Sequence, residues 1–133
     1  MLHPNQFQVN EAWIAFQLND VPIETLQDGS FNCIALMDAA SCFILGNTFI
    51  ATSESAPSPA QLQHLLQSGW EHHKQYPSTL FVPKGQFEAV AGAEAARRGI
   101  SLVPVQEDQL LVFIGEARQG FRQFIEGRGG QPP

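Results

Sequence analysis

Residues Phe31 to Thr52 read FNCIALMDAASCFILGNTFIAT, two apolar runs joined by the short polar turn Asp38-Ala39-Ala40-Ser41. Runs rich in Ile, Phe and Leu on either side of such a turn predict a β-hairpin. Its first arm, Cys33-Ile-Ala-Leu-Met37, is apolar throughout. A strand of that kind is covered on both faces, so the hairpin predicts a sheet with helices on both sides, an α/β architecture.

Upstream of the hairpin, Val21-Pro-Ile-Glu-Thr-Leu-Gln is a short β-type run, and Asp28-Gly29 is a turn signal before it rejoins Phe31. Three antiparallel strands in a meander follow, over about 21–27, 31–37 and 42–51. Glu11 to Leu18 alternates only in part, with Trp13 and Phe16 as anchors, and leaves helix and strand both open. Residues 1–10 are polar with Pro4 and are expected to form a flexible arm.

Downstream, Ser58 is placed as an N-cap with Pro59 at the first helical position. Leu62, Leu65, Leu66, Gly69, Trp70 and His73 recur at helical spacing, which predicts a helix to about Gln75. Thr79-Leu-Phe-Val82 predicts a fourth strand. Gly85 to Arg98 predicts a second helix, closed by Gly99 after two arginines. Ile100 to Val105 predicts a fifth strand, and an amphipathic face from Leu110 to Ile125 predicts a last helix to about Glu126. Residues 127–133, rich in Gly and Pro, are expected to be a disordered tail. The order is β-β-β-α-β-α-β-α, a mixed five-stranded sheet with helices on both faces, in a single domain over 11–126.

The 133 residues are enough to bury a core without a metal or disulfide staple. Hydrophobic residues make up 44% and charged ones only 15%, which argues against disorder outside the ends. With 13 acidic and 7 basic residues the formal net charge is −6, which argues against nucleic acid as a partner. Cys33 and Cys42 sit about four residues out of register across the hairpin, too far for a disulfide, and are expected to be reduced thiols in a cytoplasmic protein. No apolar run is long enough to span a membrane, and no signal peptide is recognisable.

The element order, with three local echoes, resembles the ribonuclease H-like catalytic core of retroviral-type integrases and bacterial insertion-sequence transposases, over about residues 13–126. The first echo is Leu36-Met37-Asp38-Ala39-Ala40-Ser41-Cys42-Phe43-Ile44-Leu45-Gly46, similar to a strand, an Asp-containing turn and a strand ending at Gly. The second is Tyr76-Pro77, Leu80-Phe81-Val82, Pro83-Lys84-Gly85-Gln86-Phe87 and Arg98-Gly99-Ile100 in that order. The third is Glu116 on the last helix. The resemblance implies three carboxylates holding two divalent ions for phosphodiester chemistry, one on strand one, one just after strand four and one on the last helix. It implies Glu24 for the first position and Glu116 for the third. At the second stands Lys84, an ammonium that cannot ligate magnesium.

The expectation is therefore a degenerate, noncatalytic core with a binding or assembly role, paired with a protein partner or a second copy, and without a cofactor. An alternative is a metal-dependent nuclease using Mg or Mn at Glu24, Asp38 and Glu116. A second alternative is an anion or small-molecule site at Lys84-Gly85, which precedes a helix N-terminus. Asp38 also reads as a turn residue, and Glu116 as an ion-pair partner of Arg118 or Lys84. His64, His72 and His73 lack the i,i+4 spacing of a zinc helix.

Overall fold

A computed structural model describes residues 2–129 of the chain. After a 3-10 turn at Pro4–Gln6, the elements are β1 (Ala12–Gln17), β2 (Ile23–Glu24), β3 (Ser30–Asp38), β4 (Ile44–Ala51), α1 (Pro59–His73), β5 (Thr79–Pro83), α2 (Glu88–Ala96), β6 (Ser101–Val105) and α3 (Glu107–Gly129). The hairpin β3–β4 is antiparallel. β3 pairs antiparallel with β1 on its other side, and β1, β5 and β6 run parallel to one another. The sheet is thus mixed, and it has six strands rather than five.

The added strand is β1, from the stretch whose periodicity left its state open. Its alternation is partial because both of its faces are buried. Trp13 and Ala15 face the core layer under α1 and α2, whereas Ala12, Ile14 and Phe16 face the layer that holds Leu110, Phe113 and Ile114 of α3. A central strand covered on both sides carries little polar signature. Strand one is therefore residues 12–17. The run at 21–27 keeps only the two-residue β2, because its second half folds into a turn: Thr25 N–H and Oγ1 both bond to Gly29 O, and Gly29 has φ +86°.

Helices cover both faces of the sheet, as the apolar β3 predicts. Ser58 and Gln61 cap α1 reciprocally, and Lys74 ends it in the left-handed conformation. α2 starts at Glu88, later than its apolar pattern suggests, since Gly85 (φ +83°) and Phe87 (φ +36°) are both left-handed. α3 continues through Gly129, so residues 127–129, assigned to a tail, are helical, and 130–133 lie outside the described residues.

Residues 2–10 are not a loose arm. Phe7 packs edge-on against Phe81, with ring centroids 5.7 Å apart, and against Phe113 at 6.2 Å. Pairs of this kind stabilise by roughly 1 kcal/mol beyond the buried area. Polarity and Pro4 concealed one large aromatic anchor.

Cys33 faces Phe49 across the ladder and is free, as is Cys42. Burial pushes the Cys33 thiol up to about 11 from an ordinary 9.0. Between those values the unfolded chain has lost the thiol proton and the folded chain has kept it. The unfolded state then binds fewer protons, so stability falls as pH rises. Denaturant titrations from pH 9 to 11 are expected to show a loss that Cys33→Ala lacks by about 2 kcal/mol. Equal slopes in the two proteins would refute this.

Candidate functional site

β1 and β5 are parallel neighbours, so their C-terminal ends lie side by side. The cluster on the α3 side of the sheet includes Phe16, Phe81, Phe113 and Ile114. Above this apolar floor stands a polar corner. Arg118 of α3 donates from Nε (3.0 Å) and Nη2 (2.9 Å) to the Gln17 carbonyl at the end of β1. Its Nη1 donates to Glu107 Oε1 at 2.8 Å, and Gln86, in the loop after β5, donates from Nε2 to Glu107 Oε2 at 3.1 Å.

The corner therefore joins the end of strand one, the loop after β5 and the last helix. These are the elements to which the family resemblance assigns the three acids. Only one carboxylate, Glu107, is present in the network, and both its oxygens are engaged. Beside it lies the guanidinium of Arg118, whose side chain is 14% exposed. β1 itself reads Ala-Trp-Ile-Ala-Phe-Gln and carries no acid. Divalent magnesium or manganese requires several oxygen donors, commonly including carboxylates, and a fixed cation nearby opposes it. These residues do not fit the two-metal centre.

Glu24 and Asp38 are not brought together. Glu24 pairs with Ser30 at the start of β3, and Asp38 ends the same strand. Eight strand steps separate those ends, roughly 27 Å. Asp38 is 2% exposed and bound to the hairpin: Oδ1 accepts from Asn10 N–H at 2.7 Å, and Oδ2 accepts from Ser41 N–H at 2.9 Å and Ser41 Oγ at 2.7 Å. Glu116 is exposed on α3, and Arg118 takes Glu107 instead. Glu116 does reach the hairpin turn electrostatically. Burial first, then Glu116 and Asp38, raise the Cys42 thiol. No group of three or more His, Cys, Asp or Glu able to hold a metal occurs among the described residues.

Lys84 and Gly85 stand before α2 as expected, but the Gly85 N–H already donates to the carboxylate of Glu88. A helix's own first-turn acid then meets the donors that an anion would need. Lys84 N–H bonds to Val105 O at 2.7 Å, tying the loop to β6.

Sequence reading missed the Gln17–Arg118–Glu107–Gln86 network. Glu107 and Arg118 lie eleven residues apart, about three helical turns, which puts them on one face. Short-range pairing rules do not reach that far.

No protein-family model matches the chain, and no curated protein matches it. Solved structures do. The chain is similar to one in the simian T-cell lymphotropic virus intasome bound to the PP2A regulatory subunit B56 gamma, with TM-score 0.59 and 13% identity. That match covers 99% of this chain and 45% of the other, so the chain spans less than half the length of that relative. It is similar to the catalytic core domain of BIV integrase, with TM-score 0.57 and 9% identity over 93% of this chain and 75% of that one. A third is the HTLV-2 integrase catalytic core domain in complex with magnesium, in its dimeric form, with TM-score 0.51 and 9% identity over 82% of both chains. The protein has the ribonuclease H-like fold and resembles the retroviral integrase catalytic core. At these identities the likeness is one of fold.

Proposed function

We propose that the protein is a noncatalytic, integrase-core-like domain whose role is binding or assembly. The observation that carries this reading is the corner of β1, β5 and α3. Phe16 and the Arg118–Glu107 pair fill it, and Lys84 follows β5. A guanidinium locked onto a backbone carbonyl and a carboxylate fixes three elements to one another, which suits a scaffold.

The partner in this reading is another protein or a second copy. Among the structural neighbours, the intasome was solved with a protein partner and the HTLV-2 core in a dimeric form. The net charge of −6 works against a nucleic-acid backbone. No helix among the described residues is long and apolar enough to cross a membrane. Two free cysteines agree with a cytoplasmic placement.

Incubation with labelled duplex and branched DNA in magnesium or manganese tests the reading directly. The expected result is no cleavage above background and a melting temperature that either ion moves by less than about 1 °C. Metal-dependent cleavage lost in Glu24→Ala or Glu116→Ala would overturn it, because both side chains are exposed and neither substitution should disturb the fold.

A further inference from the structure

α3 is 23 residues long, roughly 34 Å at 1.5 Å per residue. Its apolar stripe packs onto the core as far as Ala117 and Phe121. The stripe then continues to Phe124, 55% exposed, and Ile125, 36% exposed. Facing these last turns is the segment between β1 and β2, where Val21 is 74% exposed. Between the two lies a groove of about 700 Å³, floored by Val21, Ile23, Phe121 and Ile125.

The charges on its rim select an occupant. Both arginines are engaged, Arg118 with Glu107 and Gln17 O, and Arg122 with Asp20. Glu24 and Glu126 also line the groove. Neither carboxylate makes a hydrogen bond or ion pair with a described residue, although Glu126 contributes to the field at Arg122. Among the described residues, the charges left to a partner are thus acidic and flank an apolar floor. A second copy would bring the same acids and the same net charge of −6 to this surface. Nucleic acid would meet carboxylates and hydrocarbon.

We propose that this groove docks an amphipathic helix of a partner protein, with large apolar side chains on its inner face and Lys or Arg on its flanks. It rests on the binding role proposed above and names the surface that serves it. The groove runs along a helix and has the size of pockets that take such anchors.

The test is a titration of the isotope-labelled 133-residue chain with an amphipathic Leu/Lys helical peptide of about four turns, and with its Leu/Glu counterpart. The Leu/Lys peptide is expected to bind and to shift the amides of Val21, Ile23, Phe121 and Ile125. The Leu/Glu peptide should bind about tenfold more weakly. The double variant Glu24→Gln/Glu126→Gln should also lose about tenfold in affinity for the Leu/Lys peptide, with its melting temperature unchanged. Shifts that map elsewhere, or a double variant that binds like the wild type, would overturn the assignment. So would a wild-type dimer in sedimentation that Ile125→Asp abolishes, since the second copy would then be the occupant. Each of these failures leaves the assembly role standing, because that role falls on metal-dependent cleavage instead.

Discussion

Gly69→Val is expected to destabilise the protein by about 3 kcal/mol, and so to lower its melting temperature by about 10 °C. α1 crosses the sheet at this residue with no side chain between its backbone and Trp13. A Cβ added at Gly69 would lie 2.6 Å from Trp13 Cη2, 2.8 Å from Cζ3 and 2.9 Å from Cζ2. The indole has no room to move. It is fully buried, its Nε1 donates to Asn10 Oδ1 at 2.8 Å, and Tyr76 packs edge-on against it at 6.2 Å. Either α1 lifts from the sheet or Trp13 leaves its rotamer. The control is Gly115→Ala on α3, where an added Cβ meets nothing within 4 Å. There the gain in helix propensity should dominate, stabilising the protein by about 0.5–1 kcal/mol. Thermal melts of the two variants should therefore move in opposite directions. Movement of both in the same direction would mean that α1 does not approach β1 as closely as described.

Where the sequence could be read, and where it could not, follows from burial. The hairpin was legible because its turn is polar and its arms are not, and α1 was legible because Ser58, Pro59 and the leucine spacing agree on one start and one face. β1 was ambiguous for the opposite reason. Trp13, Ile14, Ala15 and Phe16 are all fully buried, so the residues that form the centre of the sheet have no polar partner to set a period. The first clear strand pattern in the sequence is one element later, at 21–27, and it puts Glu24 at the first acid position. The segment has the composition of a strand, but Thr25 closes a turn onto Gly29 and leaves only Ile23 and Glu24 in the ladder.

The site was legible in outline only. Lys84 stands at the end of β5, where its order in the chain put it. The side chains that meet there were not foreseeable from pattern. Gln17, Gln86, Glu107 and Arg118 come from three elements far apart in the chain, the end of β1, the loop after β5 and α3, and each contributes a single polar group. Long-range polar networks leave no periodicity. Glu116, by contrast, sits on the last helix as expected but outside that network.

Asp38→Ala is expected to destabilise the protein by about 3 kcal/mol, well above the effect of removing either other candidate acid. Asp38 is buried, and its two oxygens accept three hydrogen bonds, two of them from backbone N–H groups at Asn10 and Ser41. Truncation leaves those donors facing a methyl group. The loss should spread, because Asn10 also accepts from the Trp13 indole and donates from Nδ2 to Gln75 O at 3.0 Å. A double-mutant cycle of Asp38→Ala with Trp13→Phe is therefore expected to be non-additive by about 1 kcal/mol, since both act through Asn10. Asp38→Asn should cost less than Asp38→Ala, because one amide oxygen still serves Asn10 while its NH2 opposes the Ser41 N–H. Glu24→Ala and Glu116→Ala, on exposed side chains, should stay within about 0.5 kcal/mol. Denaturation in EDTA, compared with denaturation in manganese, separates this structural role from a metal site. A carboxylate held by three protein donors should give the same ranking in both conditions, whereas a ligand to a cation would make Asp38→Asn harmless in EDTA and costly in manganese. The hairpin's acid then serves the hairpin: it closes the turn and, through Asn10, fixes the indole on which α1 rests.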